Sequence, residues 1–319
     1  MVPRASVVIP SYNRQALIAE TIASALDQGP EFEVIVVDDG SPDDSWSVIE
    51  SFGEKIHAIR QENRGLSAAR NTGLGVARGG FVRFLDCDDR MPPASVRAQL
   101  EQARLLPPLH IAVGDAVSID EQGRRIPCFG YGYSGHAPPG LLARSTVLRY
   151  IMNAWLPLFP AAALRQLGGF DTNVVLLEDH DVAARLLRAG FQFVRVPVEV
   201  CEVREHGGDR MSRNFGASHY RTLYLMFSRL WQGFESDRGF VLDREERGAF
   251  GQLIWNAARD SARAGFYPEA RSLFDLAATI GGRNARMGKL PVQLLYQILP
   301  PLFAERLSMA VKKIAGGTR

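Results

Sequence analysis

Between Ser6 and Leu85, short β-rich runs alternate with stretches whose apolar residues recur at helical spacing, and no other feature constrains the fold so tightly. Strands are expected at residues 6–10, 32–38, 56–59 and 80–85, with helices at 16–27, 43–52 and 66–77 between them. Ser41 followed by Pro42 is the expected start of the second helix, a cap before a proline at the first helical position. Helical crossovers return the chain to start each new strand in the same direction, so this pattern predicts an α/β fold with a doubly wound, mostly parallel central sheet flanked by helices.

A fourth helix is expected after Pro92 and Pro93, then a strand at 111–117. The Gly-, Pro- and Tyr-rich stretch 127–140 has no period and reads as a loop. Helical spacing returns at 160–167, stops at Gly168 and Gly169, and resumes at 178–189 before Gly190. Strands are expected at 191–196 and 198–203. Beyond Phe215 the β signal ends, and amphipathic helices are expected at 218–231, 244–264 and 268–280. The expected domains are therefore 1–215, in halves of about 1–105 and 106–215, and a C-terminal α-helical region, 216–319.

A chain of 319 residues with 46% hydrophobic and 23% charged residues buries a large core, which excludes disorder and a disulfide scaffold. A net charge of +2 is too even for general nucleic-acid binding. Cys87, Cys128 and Cys201 form no CxxC pair, so a reducing compartment is expected, without a structural zinc. The N-terminal apolar run is only strand-length, and the uncharged stretches 150–164 and 290–304 are short and contain prolines. Neither a secretory signal nor a transmembrane helix is expected, and the expected location is cytoplasmic.

Ligands of parallel sheets bind at the carboxyl ends of the strands. There the sequence places Ser11, Tyr12, Asn13 and Arg14, then Asp38, Asp39 and Gly40, then Asp86, Cys87, Asp88 and Asp89. Asp-Gly-Ser after a strand is also turn and cap chemistry. Three carboxylates within four residues repel one another unless a cation neutralises them, and hard oxygen donors suit Mg²⁺ or Mn²⁺.

The series Val7–Arg14, Val36–Ser41, Asn63-Arg64-Gly65 with Ala69-Arg70-Asn71, Phe84–Asp89, Gly168–Asp171 and Glu178–Asp181 resembles the family-2 glycosyltransferases of the GT-A fold over about residues 5–215. The resemblance implies an inverting, metal-dependent transferase using a nucleotide-sugar donor, UDP-sugar by default, and a glycan or lipid-linked acceptor in cell-envelope polysaccharide synthesis. It implies that Pro10 and Tyr12 line the base pocket, that Asp39 bonds the base edge, and that Arg14 and Arg70 lie near ribose or phosphate. Asp86 would face the ribose, and Asp88 would hold the divalent metal, with His206 completing its shell. Asp179 would be the general base, with Asp181 its rival; Glu178 would orient the acceptor or brace the loop. On residue type alone Arg70 also fits a helix surface, His206 a structural role, and Asn63 and Asn71 capping. Cys87 between the metal-site carboxylates departs from the family pattern, and its oxidation would disable the site. The alternatives are nucleotidyl transfer, which would want a Gly-rich phosphate loop where Ser11–Arg14 stands, and a non-catalytic nucleotide-sugar-binding protein.

The tail from Gly281 sets Arg283, Arg286, Lys289, Arg306, Lys312, Lys313 and Arg319 against the lone acid Glu305, beside an apolar set running from Leu290 to Phe303. Basic and apolar residues together suit peripheral contact with an anionic membrane. Docking of the same apolar residues on the protein is the competing expectation.

Overall fold

The computed structural model describes residues 3–127, 138–150, 153–205, 216–286, 296 and 299–316, with side chains described up to 309. The chain divides into two compact units, Met1–Leu142 with Ile151–Gly207, and Ala143–Tyr150 with Gly208–Arg319.

The first unit opens with β1 (Ala5–Ser11), α1 (Ile18–Leu26), β2 (Phe32–Asp38), α2 (Ser45–Glu50), β3 (His57–Arg60), α3 (Leu66–Val76) and β4 (Phe81–Phe84). It continues through α4 (Ser95–Leu105), β5 (His110–Ile119), β6 (Arg125–Ile126) and β7 (Gly140–Leu141). After residue 150 come β8 (Pro157–Pro160), α6 (Ala161–Gln166), α7 (Glu178–Arg188) and β9 (Gln192–Arg204). The strand order is β3-β2-β1-β4-β8-β5-β9-β7, with β6 paired to β5. β1 is parallel to both β2 and β4, and β2 to β3, so Ser11 stands beside Asp38 and Val8 beside Phe84. The strand ends bearing the candidate residues therefore share one edge. Val7, Val8 and Ile9 are fully buried, as a strand covered on both faces requires. A Cβ at Gly73 would come 2.3 Å from Val8 Cγ1, so only glycine lets α3 lie this close to β1.

Three expectations are corrected. No strand was foreseen at β8, which runs antiparallel to β4 and β5 and joins them. The two strands expected at 191–203 are one, because a register shift against Val113–Ala116 accommodates Pro197, which has no N–H to give the ladder. α2 begins at Ser45 rather than after a Ser41 cap: the Ser41 hydroxyl donates to Asp38, and Ser41 Oγ accepts from Asn13 N–H at 3.0 Å.

Around β8 the core is polar as well as apolar. Arg83, fully buried on β4, donates to Val200 O at 3.1 Å and to Gln99 Oε1, and Gln99 Nε2 donates to Ala112 O and Leu156 O at 3.0 and 2.9 Å. Burial lowers the Arg83 pKa to about 9.

The second unit contains α5 (Arg144–Arg149), α8 (Ala217–Ser236), α9 (Arg244–Arg263), α10 (Tyr267–Gly281) and α11 (Pro301–Gly316). Asp243 and Glu246 form a reciprocal capping box at the start of α9, and Glu246 also accepts two bonds from Arg144 of α5. Trp255 is fully buried, with the rings of Phe274 and Tyr296 at 4.7 and 5.1 Å. Glu305 is buried and accepts from Arg259 and from the Tyr296 hydroxyl. The one acid of the basic tail is thus an anchor to this unit. Phe303 and Leu307 remain exposed, while Lys289, Lys312, Lys313 and Arg319 lie outside the described side chains. No described helix is long and apolar enough to cross a membrane.

Candidate active site

Near the end of β1 Pro10 is buried, and just past the strand Tyr12 is exposed. Asp39, just past β2, is buried and accepts from Gly65 N at 2.7 Å, Arg64 N at 3.0 Å and Gln61 Nε2 at 2.7 Å. It therefore shapes the 61–65 loop before any ligand arrives. The Thr72 hydroxyl fixes Gln61 in turn, at 2.6 Å. Gln61 was not foreseen, because nothing in the sequence marks a glutamine at the end of β3 as a carboxylate partner.

The acidic run after β4 does not act as one cluster. Asp89 turns inward, where it accepts from Arg204 N at 2.9 Å and from the Cys201 thiol, and so has partners apart from those of Asp86 and Asp88. Asp88 pairs with Arg14 at 3.3 Å, and Asp86 with Arg70 at 3.3 Å. Burial, reinforced by Asp88 and Asp86, raises the half-buried Cys87 thiol to about 12, which makes it a poor target for oxidation.

Arg70 lies on α3 with its side chain almost wholly buried. Its Nη1 donates to Asp179 at 2.7 Å and to Glu178 at 3.1 Å, and its Nη2 donates to Asp86. Glu178 and Asp179 open α7, where free backbone N–H groups favour carboxylates. Leu177 before them has φ 64°, a left-handed conformation a leucine adopts only at a cost. Asp179 Oδ2 also accepts from Ala154 N at 3.0 Å. Asp181 turns away to Arg185 at 2.8 Å and has no bond to Arg70. His206 lies outside the described residues.

Burial raises the pKa of Asp179 to about 7, Arg70 opposing and the charges of Glu178 and Asp86 adding to the rise. Asp86 is likewise raised, first by burial and then by Asp88 and Glu178, against Arg70. Among the described residues, four carboxylates, those of Asp86, Asp88, Glu178 and Asp179, thus gather around the guanidinium groups of Arg14 and Arg70. No set of three ligating side chains is assembled among the described residues; Asp86, Glu178 and Asp179 are engaged by Arg70, and the partly exposed Asp88 is the hard oxygen donor at this edge that suits a divalent ion.

The sequence profile described as Glycosyl transferase family 2 matches residues 6–127. The chain is 28% identical over 193 residues to chondroitin synthase of Escherichia coli, covering 59% of this chain and 27% of that one. It is 33% identical over 222 residues to MT1568, an uncharacterized protein of Mycobacterium tuberculosis, covering 64% and 67%. It spans 31% and 41% of the lengths of the first two curated relatives it matches, both Bacillus subtilis proteins at 40% identity. Among solved structures, S. aureus TarS 1-349 in complex with UDP-GlcNAc superposes with a TM-score of 0.68 at 18% identity, covering 95% of this chain and 89% of that one. The fold is shared.

Proposed function

Because the chain belongs to glycosyl transferase family 2 and has its GT-A fold, we propose that it transfers a sugar, with inversion, from a nucleoside-diphosphate sugar to a hydroxyl of a glycan or lipid-linked acceptor. The observation that carries this reading is Asp179, a carboxylate at the start of α7 whose side chain is only 11% exposed and whose pKa is raised to about 7. A base poised near neutrality suits removal of a hydroxyl proton. Each Asp179 oxygen already accepts one protein hydrogen bond and keeps a lone pair for that proton. In the proposed step the acceptor oxygen attacks the anomeric carbon from the face opposite the diphosphate. Its proton passes to Asp179, and the bond to the diphosphate breaks with the electron pair leaving on the nucleotide.

Pro10, Tyr12 and Asp39 form the base pocket in this reading. Asp39 is acceptor-only when ionised, so it favours a base with an imide N–H, as in uracil; the TarS structure of the same fold holds UDP-GlcNAc. Arg14 and Arg70 stand on the ribose and phosphate side. Asp88, with His206, would hold Mn²⁺ or Mg²⁺, which when bound offsets charge on the leaving diphosphate. The likeness to chondroitin synthase supports a polysaccharide product. The exposed Phe303 and Leu307 in the basic tail support peripheral contact with the cytoplasmic face of a membrane.

A thermal-shift panel of UDP, GDP, dTDP and CMP, with and without Mn²⁺, tests the donor side. Stabilisation by UDP that grows with Mn²⁺ is expected; equal response to all four bases would overturn the Asp39 assignment.

A further inference from the structure

Arg70 and Asn71 are consecutive on α3, yet their side chains serve different partners. Arg70 reaches the carboxylates, whereas the Asn71 carboxamide grips the backbone of Phe170: its Nδ2 donates to Phe170 O at 2.7 Å and its Oδ1 accepts from Phe170 N at 2.8 Å. Both polar groups of one residue are held by one side chain, so Asn71 is neither a cap nor a ligand-facing residue. The preceding Gly169 has φ 73°, and a Cβ there would stand 2.3 Å from Asn71 Oδ1, so the clasp closes only over glycine.

What the clasp fixes is an aromatic ring. Phe170 is buried, meets Phe84 edge-on with centroids 5.1 Å apart, and lies under the Arg70 guanidinium, whose carbon is 5.1 Å from the ring centre. Phe84 is the second ring at that corner, at 6.0 Å. Arg70 Nε is buried without a hydrogen-bond partner, so the ring faces and the three carboxylates are what hold the guanidinium in place.

We propose that Asn71 is a positioning residue for Asp179: by clasping Phe170 it holds the ring that seats Arg70, and Arg70 in turn aims and charges the carboxylate. The importance of that carboxylate rests on the function proposed above, but its placement does not. Asp179 is faced by Arg70, Glu178, Asp86 and the Ala154 amide, and of these Arg70 alone is cationic. A loosened Arg70 therefore leaves Asp179 easier to protonate.

Carboxyl ¹³C titration by NMR on the intact chain reads this without substrate, the Asp179 signal being assigned by its loss in Asp179→Asn. Asn71→Ala and Phe170→Leu should each raise the Asp179 midpoint by about half a pH unit or more, roughly a threefold change in proton affinity. Phe170→Tyr, which keeps the ring, should leave the midpoint in place. In a Phe170→Leu background, Asn71→Ala should add almost nothing, because the ring it acts through is already gone. An unchanged midpoint in Phe170→Leu, or full additivity in the double variant, would overturn the proposal. If Asn71→Ala does not fold, the Leu and Tyr pair decides alone: equal midpoints in the two overturn it. Failure of Asp179 as the base would appear instead as retained transfer in Asp179→Asn, with these titrations unaffected.

Discussion

Arg70 Nη1 stands 2.7 Å from Asp179 Oδ1, joining residues 109 positions apart in sequence. The same nitrogen bonds Glu178, so one guanidinium organises both acids at the start of α7. Such a node is costly to break, since a buried carboxylate left without its cation loses several kcal/mol, about 3–5 when one partner is removed.

Transfer should rise with pH through an apparent pKa of about 7 and level off above it, because only ionised Asp179 accepts the proton. Asp179→Asn should lower the transfer rate by at least about 10²-fold while donor binding stays near normal. Stability follows the opposite sign. With a folded value of about 7 against 3.8 unfolded, the native state binds the extra proton between these limits, so the group costs nothing below 3.8 and its full amount above about 7. Melting curves should therefore show Asp179→Asn gaining more stability relative to the parent at pH 8 than at pH 4.

Asp39→Ala removes the shared acceptor of Gln61, Arg64 N and Gly65 N. UDP binding should weaken by about 1–3 kcal/mol, the scale of a lost bond to a charged group. Calorimetric affinity within twofold of the parent would place base recognition elsewhere.

For Asp88→Ala, the gain in UDP affinity given by Mn²⁺ should vanish while the melting temperature stays close to the parent's, since its side chain is partly exposed and part of a carboxylate-rich edge. Titration with UDP at fixed Mn²⁺ reads the effect, and a persisting metal-dependent gain would remove Asp88 from the metal's ligands.

Glu305→Ala strips the acceptor from Arg259 and the Tyr296 hydroxyl in a buried setting. Denaturant unfolding should show a loss of about 3–5 kcal/mol, with Glu305→Gln retaining part of it.

Phe303 and Leu307 lie on the exposed side of the same helix. Phe303→Ser with Leu307→Ser should abolish salt-sensitive co-sedimentation with anionic liposomes; binding equal to the parent's would count against membrane contact through this face.

Much of the α/β unit is legible in local pattern. β2 spans the expected 32–38, and α7 starts at the expected Glu178. β8 was hidden because its four residues are bounded by prolines and merge into an uncharged run, so neither period nor turn chemistry marks a strand. The polar residues of the site are visible as strand-end motifs, but their pairings are not. Arg70 finds carboxylates 16, 108 and 109 residues away, a choice made by the register of β1 against β4 and by the approach of α7. Asp181 and Asp179 look alike in sequence; only the turn of the helix sends one to Arg185 and the other to Arg70.

β8 is made after β5 but sits between β4 and β5. Without β8, β4 would be an open edge of the parallel half-sheet, its row of N–H and C=O groups free to pair with another chain. The four residues of β8 cover that edge in the finished sheet.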